Sequence, residues 1–192
     1  MAKNANSATD LIYQLKITLR DSKPPIWRRV LVPAGFTLAK LHRVIQTAMG
    51  WTDSHLHQFK IDGQFYGVPS EEDWHEVLNE RSYSLEKVAP CEKSKFLYEY
   101  DFGDSWEHVI VVEKILPFEA GKDYPLCIKG KRACPPEDVG GVWGYEEFLQ
   151  AVNDPDNEEH ESYLEWVEKD FHSEEFDMEN INRQLRKWAT KK

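Results

Sequence analysis

The chain has 192 residues, 41% apolar and 12% aromatic, enough to bury a core, and this excludes global disorder. No apolar run approaches the roughly 18–20 residues that span a bilayer, which leaves no candidate membrane helix. The net charge of −10 is polarised: residues 137–180 hold sixteen acids against Lys169 alone, whereas residues 1–60 hold nine bases against three acids.

The acidic stretch is expected to form a solvated face over residues 137–180 or to meet a protein partner. The basic stretch, with Lys16, Arg20, Arg28, Arg29 and Arg43, would suit nucleic acid only if those side chains cluster on one face. Residues 1–10 carry no signal-peptide core and read as a disordered N-terminal tail. Three cysteines do not suggest a disulfide framework, so a reduced, cytoplasmic setting is expected.

Along the chain, residues 11–20 alternate, with Tyr13, Leu15, Ile17 and Leu19 on one face, the period of a half-buried strand. A second strand is expected over 26–32, bounded by Pro33 and Gly35. Thr37 then caps a helix over 38–49 whose stripe is Leu38, Leu41, Ile45, Ala48 and Met49, ended by Gly50. Residues 55–61 alternate again, and Asp62-Gly63 signals a tight hairpin. Residues 82–88 read as a short strand or turn.

Residues 95–100 and 106–115 predict two strands joined by a turn at 101–105. The second carries Trp106, His108, Ile110 and Val112 on one face and apolar residues on the other, as a central strand does. A short strand is expected at 125–129. A Pro/Gly-rich loop at 130–144 leads to helices over 145–152, 158–169 and 178–188, with Trp188 among the apolar positions of the last. The expectation is an α+β fold of antiparallel hairpins with one N-terminal helix and a C-terminal helical segment. It forms a single domain over 11–190, strand-rich over 11–129, with the loop at 130–144 and helices over 145–190.

Two stretches concentrate the chemistry: YEYDFGDSWEH at 98–108 and CPPEDVGGVWGY at 134–145. Asp101, Asp104, Trp106, His108, Glu137, Asp138 and Trp143 are the candidate pocket residues. Their acids and glycines also suit tight turns, with Gly103 at positive φ. Oxygen donors from Asp101, Asp104 and Glu137 or Asp138 beside His108 would suit Mg²⁺ or Mn²⁺ in phosphoester hydrolysis. Cys127 and Cys134, with His55, His57 and His108, offer a Zn²⁺ donor set, although without the close pairing of zinc ribbons. Tryptophans interleaved with Arg28 and Arg29 offer a stacking surface. HExxH is incomplete, because Leu164 follows His160 and Glu161, and neither nucleotide-binding glycine motif is present.

Taken in order, YxLKITL, PPIWRRVLVP, LHxVIQxAMGW, HLHQF, YEYDFGDSWEH, KRACPPEDVGG, GYEEFLQAV and FDxENINRQLR resemble the plasmid pRiA4b Orf-three-like family. Members are labelled passenger proteins of insertion elements, with a resolvase-like tag. The resemblance covers roughly residues 11–188 and implies an α+β fold of small intertwined subdomains. It implies no mechanism. A serine recombinase needs a nucleophilic serine among arginines, yet Ser54, Ser82, Ser105 and Ser162 lie among acids, aromatics or histidines. The expected function is a non-catalytic binding or adaptor domain associated with mobile elements. A metal-dependent hydrolase of phosphoesters or nucleic acid, and a nucleic-acid-binding module, are the alternatives.

Overall fold

The computed structural model describes residues 11–167 and 171–189. The expected tail at 1–10, residues 168–169 of the expected 158–169 helix and the side chain of Trp188 lie outside the described residues.

The fold is α+β, built on an eight-stranded sheet in the order β5-β4-β3-β6-β7-β1-β2-β8. The strands are β1 (Leu11–Leu19), β2 (Trp27–Pro33), β3 (His57–Ile61), β4 (Gln64–Gly67), β5 (Val77–Asn79), β6 (Lys95–Tyr100), β7 (Trp106–Pro117) and β8 (Leu126–Lys131). All neighbours pair antiparallel except β4 and β5. Alternation decides which face is buried. Tyr13, Leu15, Ile17 and Leu19 of β1 lie beside Ile110 and Val112 of β7 in the core, while intervening residues stay half-exposed.

Helix α1 (Leu38–Met49) starts where the Thr37 hydroxyl accepts from the Lys40 amide and stops at Gly50, whose φ of 96° only glycine adopts readily. Its apolar stripe packs over β2 and β4. The turn between β3 and β4 has positive φ at both Asp62 and Gly63, the conformation a two-residue hairpin requires.

Several boundaries differ from expectation. Residues 82–88 hold a 3-10 turn (Glu80–Ser82) and a one-turn helix, α2 (Leu85–Val88), because backbone bonds from Leu38 to Tyr83 and from Leu85 to Phe36 fasten them to the start of α1. The polar stretch before them contributes β5, which the sequence pattern did not mark. Helix α3 (Gly141–Asn153) begins four residues earlier than its apolar periodicity, inside the expected loop. A Cβ at Gly144 would lie 2.0 Å from the Val139 carbonyl oxygen, so glycine lets this first turn close. Helices α4 (His160–Trp166) and α5 (Met178–Ala189) follow; α4 packs on α3, and α5 lies against β8 and α1. No helix among the described residues is long and apolar enough to cross a membrane.

Candidate functional site

The two chemistry-bearing stretches meet. In the turn between β6 and β7, Oδ1 of Asp101 accepts from the amides of Gly103 (2.9 Å) and Asp104 (3.4 Å), and Asp101 itself takes a φ of 58°. This is turn chemistry of the expected kind. Gly103 itself is not at positive φ; Asp101 and Ser105 carry the left-handed positions instead. Oδ2 of Asp104 accepts from the Gly140 amide at 3.1 Å, and Gly141 presses on the Asp104 backbone.

Glu137 is a second clasp. Its carboxylate accepts from the Tyr100 hydroxyl and from both the amide and hydroxyl of Thr52. Burial, then the Glu137 contact, holds the Tyr100 phenol well above its usual range. The Tyr100 hydroxyl also accepts from the Ser54 amide at 2.9 Å. Trp51 stacks on Tyr100 with centroids 5.0 Å apart, and its indole N–H donates to the Pro135 carbonyl at 3.0 Å. Loop 134–137 is therefore pinned to the end of α1.

Under this junction lie Trp106 and His108, both without solvent exposure. His108 Nδ1 lies 2.9 Å from the Trp106 carbonyl, so that nitrogen carries the proton, and burial lowers the imidazole pKa to about 4. Trp143 is 79% exposed on α3. The carboxylates of Asp104 and Glu137 are thus occupied by protein donors, and His108 is enclosed, so Asp101, Asp104 and His108 with Glu137 or Asp138 do not converge on one point.

A smaller group does. His55 places Nε2 3.1 Å from Asp138 Oδ1 and Nδ1 3.7 Å from Asp101 Oδ2, with donor atoms of all three within 4.8 Å of one another. His57 goes elsewhere. The expected strand starts only at His57, because the Tyr100 hydroxyl gathers the amides of Ser54 and His55 into a turn. His57 stacks face to face on His42, centroids 3.4 Å apart, and bonds the buried Glu80 at 2.8 Å. His42 bonds Asp53 (2.7 Å) and Tyr98 (2.8 Å). Since Gln46 donates to the Tyr98 hydroxyl, that hydroxyl donates to His42 Nδ1, and Nε2–H points at Asp53.

The cysteines join neither group. Cys127 is buried, its thiol pushed up to about 11 by burial, and its backbone pairs with Asn182. Burial also raises the Cys134 thiol. Among the described residues, no group of three metal-binding donor atoms includes Cys127, Cys134 or His108. A thiolate zinc centre is thus not assembled, because these side chains serve the core.

Beside the junction runs a cleft of about 720 Å³, lined by Met49, Trp51, Pro135, Trp166, Val167 and Phe171, with Thr52, Cys134, Pro136 and Glu137 at its edge. A second hollow of about 330 Å³ adjoins it through Met49, Gly50, Cys134 and Phe171, and reaches Arg28. Of the expected pocket residues, Glu137 lines the larger cleft, Asp101, Asp104 and Asp138 belong to the junction, Trp106 and His108 lie beneath it, and Trp143 stands exposed on α3. Trp166 and Phe171 had only helical spacing or polar surroundings in the sequence and gave no signal. His42 could have been found as a histidine between Leu38 and Ile45 on a buried stripe.

The basic residues do not form one surface. Arg28 is 2% exposed, donating from Nε to the Ala48 carbonyl and from Nη1 to those of Trp27 and Lys131. Arg29 grips Glu113 through two bonds, and Arg20 pairs with Glu107. Lys16 lies over the Trp27 ring, while Arg43 is exposed on α1.

Residues 11–180 match the family model described as "Plasmid pRiA4b ORF-3-like protein". The chain is 40% identical over 186 residues to the uncharacterised protein y4hQ of Sinorhizobium fredii, covering 94% of this chain and 95% of that protein. It is also similar to the crystal structure of a protein of unknown function, MM3350, from Methanosarcina mazei Go1. There the TM-score is 0.82 at 38% identity, covering 89% of this chain and 96% of the other. Neither relative's name states an activity.

Proposed function

The chain belongs to the plasmid pRiA4b ORF-3-like protein family, and on that premise we propose that its task is binding rather than catalysis. The ligand is a segment of a protein partner, with apolar and basic side chains, held in the cleft beside the motif junction. One observation carries the reading: the cleft has apolar walls from Met49, Trp51, Pro135, Trp166 and Phe171, and Glu137 fixes its rim. Concave apolar walls with few placed polar groups are the common form of a binding site. The stretch that supplies Glu137, Trp166, Val167 and Phe171 to it, residues 137–180, is strongly acidic in sequence, which favours a basic partner.

The internal pairing of Arg20, Arg28 and Arg29 favours this reading over nucleic acid. Residues 11–190 act in it as one domain, supported by β1 pairing with β7 and β2 with β8. A cytoplasmic setting with reduced thiols and a link to mobile elements, which the family's description suggests, complete the proposal.

Selection from a random peptide library tests it. Enriched sequences should share apolar and basic positions, and Trp166→Ala should weaken their binding at least tenfold. An enriched set insensitive to that substitution, or no enrichment, would refute the assignment.

A further inference from the structure

Arg28 is 2% exposed, and a guanidinium almost never lies that deep without an acidic partner. Among the described residues it has none. Its Nε donates to the Ala48 carbonyl and its Nη1 to those of Trp27 and Lys131, while the Phe176 ring covers one face, 4.9 Å away. Burial lowers its pKa, and the groups acting the other way are the thiols of Cys134 and Cys127. Burial raises both thiols, so they are uncharged at neutral pH and neutralise nothing. Ala48 lies in the last turn of α1, whose C-terminal dipole supplies only about half an opposite charge. The uncompensated remainder of a buried cation is costly until an anion joins it.

The guanidinium also keeps a free donor. Nη2 has no hydrogen-bond partner among the described residues. The fully enclosed side-chain atoms that lack a partner are Ser84 Oγ, Trp106 Nε1 and His108 Nε2, so Nη2 still touches open space. The hollow of about 330 Å³ that Arg28 lines, together with Asn180 and Gln184, supplies that space. Its acids, Glu175 and Asp177, are exposed, and neither pairs with Arg28.

We propose that this hollow takes the C-terminal carboxylate of the segment bound in the cleft, with Arg28 Nη2 as its donor. The inference rests on the cleft reading, because hollow and cleft share Met49, Gly50, Cys134 and Phe171 as walls. A charge-assisted bond to a carboxylate is among the stronger hydrogen bonds a guanidinium makes. A chain end brings one negative charge, whereas a phosphate brings nearly two past the exposed Glu175 and Asp177. The acidic stretch 137–180 likewise disfavours a segment with acidic side chains along its length. The partner is then a protein whose last residues are apolar and basic and end in the hollow.

Peptides selected from a library with free C-termini, then synthesised as acid and as amide, test this on the full-length protein. The acid should bind at least tenfold more tightly than its amide. The Arg28 Nε–H resonance, from the group bonded to the Ala48 carbonyl, should shift with the acid and stay still with the amide. Equal binding of the two forms, or a preference for the acid that leaves this resonance unmoved, would overturn the hollow's role while leaving the cleft as the binding surface. Failure of both forms to bind would refute the cleft and the hollow together.

Discussion

Gly141 sits so close to Asp104 that a Cβ on it would come within 2.5 Å of the Asp104 carbonyl oxygen. This contact, with the bond from the Gly140 amide to the Asp104 side chain, is where the two motifs touch. It explains two neighbouring glycines by close approach and by positive φ, 91° and 69°.

Gly141→Ala should therefore destabilise the fold by about 2 kcal/mol or more, combining left-handed strain with the clash. Gly121 also has positive φ, but a Cβ there would meet nothing within 4 Å, so Gly121→Ala should cost only about 1 kcal/mol. Urea unfolding of both variants checks the difference. Equal losses would mean the Asp104 contact contributes nothing.

Arg28 links three elements through carbonyls: the end of α1, β2 and β8. Lysine carries the charge but cannot place donors at both the Nε and Nη1 positions. Arg28→Lys should thus cost roughly 2–3 kcal/mol, read as a lowered denaturation midpoint. A loss below about 0.5 kcal/mol would show that charge alone suffices.

Acid should weaken the protein through its histidines. An unfolded histidine titrates near 6.5, whereas burial lowers His108, and burial with the neighbouring His57 lowers His42, each to about 4. As pH falls from 6.5 toward 4 the unfolded chain takes up protons that the folded chain refuses, so stability is full above 6.5 and declines below it. Between pH 7 and pH 5 His108 should account for about 2 kcal/mol, with His42 acting in the same direction. A denaturation midpoint unchanged between these two pH values would contradict the buried neutral imidazoles.

Much of this was legible in the sequence. Strict alternation announced β1 and the buried face of β7, and Thr37 and Gly50 marked the ends of α1. The meeting of the two motifs was foreshadowed by acids and glycines that need close backbone neighbours. Other parts were hidden because no local pattern encodes them. The cleft draws Met49, Pro135, Trp166 and Phe171 from distant segments, which meet only in the folded chain. Likewise, His55 and His57 looked like partners on one strand face, but the Tyr100 hydroxyl turns the chain between them and sends each to a different group.

The cysteines offer a simple check of packing. Cys91 is exposed, Cys127 is buried, and burial raises the thiols of Cys127 and Cys134. A thiol reagent at pH 7.5 should label Cys91 rapidly, half-buried Cys134 more slowly and Cys127 only in denaturant, resolved by peptide mass. Rapid labelling of Cys127 in the native state would contradict its burial where β8 meets α5.

The cleft beside the junction is the proposed binding surface. Its most direct test is an amide chemical-shift map of the ¹⁵N-labelled protein titrated with a library-selected peptide. Shifts should concentrate at Gly50, Trp51, Thr52, Cys134, Glu137, Trp166 and Phe171, including the Trp51 indole N–H bonded to Pro135. Shifts confined to Lys16, Arg20 and Arg29, with the cleft silent, would refute it.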